Sequence, residues 1–252
     1  MLLALLNGGN NPPNQPIWSP GPGVTWHWQL EGGVDYSRAV GAYNIDLFET
    51  PRSRIQSLQA RGVRVICYLS AGSHEKGRPD SGELPATVIG SALPGYPDEH
   101  WLNIREGSVR RLMARRLALA AWKGCDAVEL DNMQTWLEEP THPSGFGITA
   151  VDQLDYALYL ADTAHWLGLT PILKNNLPQI PALLDDFEIF LVEECFQYDE
   201  CDPLDQVVAA GKAALVTEYA LPTGKFCPEA TKRGFSAMRK RPRLDAWSQD
   251  CW

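Results

Sequence analysis

The sequence predicts an α/β chain closed as a single-domain (β/α)8 barrel of the TIM type. Three observations predict it. Short apolar runs rich in Val, Ile and aromatics alternate with amphipathic segments of helical period, the signature of parallel strands joined by helical crossovers. Eight such runs can be counted, which favours closure over an open doubly wound sheet, and no glycine-rich phosphate fingerprint follows the first of them. The chain has 252 residues, close to the ~250 of one barrel.

Residues 1–23 read as a leader, with Asn, Pro and Gly concentrated in 7–23. The apolar Met1–Leu6 is too short for a signal peptide and lacks a basic start, so it reads as the remnant of a truncated signal or as a misassigned start. The catalytic domain is expected over 24–252. Its first strand is 24–30, ended by Gly32-Gly33, and its second is 42–48, leading to a Thr50-Pro51 helix start. A helix follows over 52–61, stopped by Gly62. The third strand, 63–70, is nearly continuous in apolar residues, as buried parallel strands are.

Residues 71–104 form a long insertion without regular periodicity, leaving the strand end where barrel active sites form. The helix at 108–122 carries Val109, Leu112, Met113, Leu117 and Ala120 on one side. Arg110, Arg111, Arg115 and Arg116 read as its solvated face. Then come strand four (126–131), a helix (150–167), strand five (170–176), strand six (187–194), a short helix (203–210), strand seven (213–219) and a weak strand eight (234–239).

A net charge of −9 disfavours nucleic acid, whose phosphates need Lys and Arg, and favours a cationic ligand. No segment approaches the ~20 apolar residues that cross a membrane. Of six Cys, Cys195/Cys201 and Cys227/Cys251 look like local staples, which implies an oxidising compartment; Cys67 and Cys125 lie in and just before strands. The five His (27, 74, 100, 142 and 165) are not paired at ligand spacing and no Cys-x-x-Cys occurs, so neither a metal nor a cofactor is expected.

The chemistry collects at the strand tips. In order they offer Trp28 and Gln29, Asp46, Tyr68 and Ser70, Asp131 and Asn132, Lys174 and Asn175, Glu193 and Glu194, and Glu218 and Tyr219. A carboxylate-rich rim with Trp and Tyr suits glycoside hydrolysis, which needs one carboxyl group to protonate the leaving oxygen and another to attack the sugar or activate water. Asp131 is one of the pair. Glu129 shares its face one layer deeper and tunes the site. The partner comes from strand six. Glu193 is favoured if Ile189 and Leu191 face inward and Glu194 if Phe190 and Val192 do; branched aliphatics inside favour Glu193, and a bulge near the strand end would reverse this.

The elements Trp26–Leu30, Asn44–Phe48, Cys67–Ser73, Arg78–Asp80, Glu99–Trp101, Glu129–Asn132, Lys174-Asn175, Glu193–Phe196 and Glu218-Tyr219 resemble glycoside hydrolase family 114, from about residue 24 to 251. The resemblance implies a (β/α)8 barrel with endo-α-1,4-polygalactosaminidase activity on a polycationic, deacetylated galactosamine polymer. It also implies secretion. Its strand-four Asp falls on Asp131 and its strand-six Glu on Glu193 or Glu194. On that reading Asp131 is the nucleophile or charge stabiliser and the Glu is the general acid, with retention preferred by analogy with other barrel hydrolases.

Asp46 and Glu218 are then candidates for a substrate ammonium, and Lys174 for a sugar hydroxyl or for orienting Asp131. Trp28 and Trp101 are candidate stacking platforms, and Tyr68, Glu129, Asn132 and Tyr219 line the substrate. Helix capping by Asp46, a structural ion pair at Lys174 and core packing of the Trp residues are the competing roles. Two other functions stay open, a hydrolase of another α-linked sugar such as an α-galactoside and a non-catalytic barrel binding cationic polysaccharide. A monomer is expected.

Overall fold

The computed structural model describes residues 17–137 and 143–252. Twelve strands and six α-helices are found among them. Strands β1 (Trp26–Trp28), β2 (Ala42–Asp46), β3 (Arg64–Ser70), β7 (Ala127–Asp131), β8 (Thr170–Lys174), β9 (Ile189–Glu193), β10 (Ala213–Glu218) and β11 (Ser236–Lys240) pair in parallel in that order. β12 (Ser248–Asp250) adds an antiparallel edge beside β11. The result is a nine-stranded mixed sheet.

The expectation of a fully closed barrel is corrected here. The edge of β11 that closure would offer to β1 carries β12 instead, and β1 is only three residues long. The Trp26 indole, which donates to the Ser236 carbonyl at 2.9 Å, and the Leu30 amide, which donates to the Leu244 carbonyl at 3.0 Å, link the two ends.

Each parallel strand is buried on both faces, which explains its unbroken apolar run. One face supplies an inner cluster with Trp26, Trp28, Ala42, Ile66, Ala127, Ile172, Ile189, Leu191, Leu215 and Met238. The other face, with residues such as Val65, Leu69, Val128, Phe190, Val192 and Val216, packs against the helices. The helices are α1 (Arg52–Gln59), α2 (Gly107–Lys123), α3 (Ala150–Trp166), α4 (Ile180–Leu183), α5 (Pro203–Ala209) and α6 (Thr223–Arg233). α2 buries Val109, Leu112, Met113, Leu117 and Ala120 at helical spacing and ends at left-handed Gly124. α3 starts with a Thr149–Asp152 capping box. Among the described residues no helix is long and apolar enough to cross a membrane.

Several expectations differ from the structure. The insertion after β3 is ordered, with β4 (Ser73–Glu75), β5 (Ile89–Leu93) and β6 (Tyr96–Leu102) forming an antiparallel sheet in the order β4-β6-β5. Arg116 is not on a solvated face: it is 2% exposed and donates to the Ser70 carbonyl and to both Asp80 carboxylate oxygens, tying the insertion to the tip of β3. Helix α6 has no counterpart in the expected elements, and it contains two poor helix formers, Gly224 and Pro228. Phe226 and Ala230, one turn apart, bury it, and Cys227–Cys251 fastens it to the end of the chain. Gly234 caps that helix, so the last parallel strand begins at Ser236. Residues 1–16 of the expected leader lie outside the described residues. Trp18, at its described end, packs against the inner cluster, and its carbonyl accepts from Thr170 Oγ1.

All six cysteines are paired, as Cys67–Cys125, Cys195–Cys201 and Cys227–Cys251. The first ties β3 to the start of β7, the strand that carries Asp131.

Candidate active site

A cleft of about 770 Å³ opens where the parallel strands end. Lys174, at the last position of β8, is its electrostatic centre. The side chain is 3% exposed, and its Nζ lies 2.8 Å from Glu193 Oε2, 3.1 Å from Asp131 Oδ1 and 3.8 Å from Glu129 Oε1. The Trp28 ring lies beside it, 5.0 Å from Nζ to centroid. Burial alone would lower the lysine pKa, but Asp131, Glu193 and Glu129 outweigh burial and hold it well above its ordinary value. The ammonium is therefore charged at any working pH.

Each acid flanking Lys174 has further donors. Tyr68 Oη donates to Asp131 Oδ2 at 3.0 Å. Tyr219 Oη donates to Glu193 Oε1, and Asn175 Nδ2 donates to Glu193 Oε2 at 3.3 Å. Burial, with the nearby acids, pushes both phenols up, so both stay protonated as donors. Asp131 and Glu193 keep 18% and 24% of their side chains exposed to the cleft.

The backbone turns sharply just past these acids. Asn132 after β7, Asn175 and Asn176 after β8 and Glu194 after β9 all have φ between 54° and 61°. Such a conformation is costly for residues other than glycine and clusters at functional sites. It swings the chain off the strand axis as soon as the acid has been presented. Gly72 makes room for one of these turns, since a Cβ there would lie 1.8 Å from the Asn132 carbonyl oxygen.

The strand-six alternatives separate by position. Ile189 and Leu191 belong to the inner cluster, Phe190 and Val192 to the helix side. Glu193 lines the cleft and Glu194 does not. Glu218 is not on the cleft either, which corrects its expected contact with substrate. It is fully buried; its carboxylate accepts the Phe196 amide at 2.8 Å and anchors the loop after β9. Burial raises its pKa to about 7, against the backbone donors of Phe196 and Gln197.

Asp46 lines the cleft but is already engaged: one oxygen accepts the Phe48 and Glu49 amides and the other meets Arg78 at 2.8 Å. The capping role therefore accounts for its carboxylate. Trp28 is 1% exposed and is a floor for Lys174 rather than an open platform, whereas half-buried Trp101 lines the cleft. The Asn132 side chain lines it too and donates to Ser70 Oγ at 3.0 Å.

The β5–β6 hairpin contributes Leu93, Pro94, exposed Tyr96 and Glu99 to the cleft, and the sequence-level assignment of roles omits all four. The Pro94-Gly95 pair between two short runs is the hairpin signal that would have found them. Glu99 accepts from Ser73 Oγ at 2.8 Å, and burial raises its pKa. Among the described residues, seven acids (Glu31, Asp46, Glu49, Glu75, Glu99, Asp131 and Glu193) face three cations (Arg78, Lys174 and Arg243) around the cleft, so its field is negative. Among the described residues no three His, Cys, Asp or Glu converge as a metal-ligand set.

Residues 9–252 match glycoside-hydrolase family GH114. The chain belongs to this family. It is thus a glycoside hydrolase, and the paired carboxyl groups in its cleft are of the kind that such enzymes need. Among solved structures, Aspergillus fumigatus Ega3 in complex with galactosamine is 32% identical, with 96% of this chain and 100% of that chain covered and a TM-score of 0.88. The glycoside hydrolase domain of PelA from Pseudomonas aeruginosa shares the fold at 14% identity, with 91% and 98% covered and a TM-score of 0.71. A GH20 exo-β-N-acetylglucosaminidase from Vibrio harveyi shares it more loosely, at 9% identity, 79% and 42% coverage and a TM-score of 0.54. No curated protein sequence matches this chain.

Proposed function

We propose that this GH114 chain cleaves α-1,4-linked galactosamine polymers, with Asp131 as nucleophile and Glu193 as acid/base, retaining the anomeric configuration. The observation that carries the mechanism is the Lys174 bridge. Two acid oxygens within 3.1 Å of one nitrogen are no more than about 6 Å apart. A shared ammonium brings the two carboxyl groups close together, as retaining enzymes require (~5–5.5 Å). Lys174 and Tyr68 hold one Asp131 oxygen each and aim the carboxylate for attack. Glu193 protonates the leaving oxygen, then takes a proton from the water that releases the glycosyl-enzyme intermediate.

The negative cleft supports a substrate carrying ammonium groups, and the likeness to Ega3 in complex with galactosamine supports the sugar. The contribution of all eight parallel strands to one inner cluster supports reading the sheet as a (β/α)8 barrel despite its unpaired seam. The three disulfides support an oxidising, extracellular setting.

The test is product analysis on α-1,4-galactosamine oligomers and their N-acetylated counterparts. Wild type is expected to shorten the deacetylated oligomers faster, and Asp131→Asn to abolish cleavage. Faster cleavage of the acetylated series would overturn the substrate, and a fully active Asp131→Asn would overturn the mechanism.

A further inference from the structure

Three carboxyl groups of the site, Asp131, Glu193 and Glu129, surround a single ammonium, that of Lys174. If all three ionise, two negative charges are left uncompensated in a largely buried space, so a proton held on one of them is favoured. Glu129 is the best placed to hold it. Its side chain is 0% exposed, whereas Asp131 and Glu193 reach the cleft. Asn44 Nδ2 donates to its Oε2 at 2.5 Å, while Oε1 has no hydrogen-bond partner among the described residues and lies 3.8 Å from Lys174 Nζ.

The groups that face Glu129 are Asn44 from β2, Tyr68 from β3, Asp131 on its own strand, Lys174 from β8 and Glu193 from β9. Burial first, then the charges of Asp131 and Glu193, push its pKa up to about 8 against the pull of Lys174 and Asn44. At neutral pH Glu129 is thus a carboxylic acid beneath the catalytic pair.

We propose that Glu129 is a positioning residue that stores the proton used by Glu193 and passes it through the Lys174 ammonium. The inference rests on the reading of Asp131 and Glu193 as the catalytic pair. Lys174 gives one ammonium proton to Glu193 Oε2 across 2.8 Å and takes the Glu129 proton across 3.8 Å. One N–H bond breaks and one forms, and one O–H bond breaks and one forms. Glu129 ends as the carboxylate, Glu193 as the acid, and the ammonium is restored, with no further reactant. When Glu193 takes a proton from the attacking water, the reverse transfer refills Glu129.

The test is kcat and KM against pH for wild type and Glu129→Gln on α-1,4-galactosamine oligomers. Gln keeps an acceptor for Asn44 but cannot give up a proton. The variant is expected to lose about tenfold or more in kcat with KM nearly unchanged, and its basic limb is expected to move about one pH unit or more toward acid. An unchanged limb would overturn the proposal, including where Tm falls and KM rises, the pattern of a purely structural residue. If Glu129→Gln fails to fold, infrared spectra of Glu218→Gln, which lacks the other buried acid that titrates near 7, decide. A buried protonated-carboxyl band at pH 7 that disappears above about pH 9 supports the store, and its absence at pH 7 overturns it. Wild type inactive on these oligomers, or Asp131→Asn fully active, would defeat the underlying reading. A normal wild type with an unmoved Glu129→Gln profile would defeat the proton store alone.

Discussion

Replacing Lys174 with Met keeps most of the side-chain volume beside Trp28 but removes the charge between Asp131 and Glu193. At 2.8 and 3.1 Å, and with an effective dielectric of ~20, the gross attractions are ~6 and ~5 kcal/mol. Desolvation of the ammonium offsets much of this, and removal of one partner of a buried pair typically costs ~3–5 kcal/mol. The two acids retain 18% and 24% exposure, which argues for the lower end, ~3 kcal/mol. For a domain of this size that lowers Tm by ~6–12 °C.

The sign with pH is fixed by the raised lysine pKa. A cation whose folded pKa lies above its unfolded value contributes fully below the unfolded pKa of ~10.4 and loses that contribution only as pH climbs through the folded value. The wild-type advantage should therefore not disappear between about pH 6 and 9 through Lys174 titration. Activity should suffer as well, by about 10²–10³ in kcat, because the acids lose the ammonium that holds them side by side. Scanning calorimetry and steady-state kinetics on the same preparation test both effects. A Tm within about 2 °C of wild type together with undiminished kcat would refute the view that Lys174 holds the site together.

Three further outcomes follow from individual contacts. Glu193→Gln should lower kcat by about 10²–10⁴, as loss of a general acid does, while Glu194→Gln, off the cleft, should leave it near wild type; the reverse ranking would show that the wrong acid has been chosen. Changing Cys67 and Cys125 together to Ala opens a crosslink spanning 58 residues and should cost about 4 kcal/mol in urea unfolding; a loss well under about 1 kcal/mol would show the bond to be incidental. Glu218 has a folded pKa raised to about 7, so its neutral form favours the fold below the unfolded pKa, and that contribution is lost as pH rises through about 7. Glu218→Gln should therefore narrow the Tm difference between pH 5 and pH 8, and an unchanged difference would contradict the assigned burial penalty.

What the sequence makes legible follows from local rules. Period-two alternation puts Glu129 and Asp131 on one face, and the branched Ile189 and Leu191 point inward with Glu193, because strand geometry fixes both. Cys195–Cys201 and Cys227–Cys251 are legible as neighbours in the chain, and Cys67 and Cys125 come together because β3 and β7 pair.

Features set by distant partners are not legible. Arg116 reads as a surface charge until Asp80, brought by the insertion, and the Ser70 carbonyl at the tip of β3 surround it. Glu218 reads as a rim acid, and its burial depends on the loop after β9 folding back over it. Closure of the sheet depends on what occupies the edge of β11, which β12 takes from the far end of the chain. Helix α6 owes its existence to Phe226, Ala230 and a disulfide rather than to propensity.

The central claim is a retaining attack by Asp131 beside Glu193. Time-resolved proton NMR of wild type acting on an α-1,4-galactosamine oligomer tests it most directly. The account predicts that the new reducing end appears first as the α-anomer and only later equilibrates; first appearance of the β-anomer would contradict it.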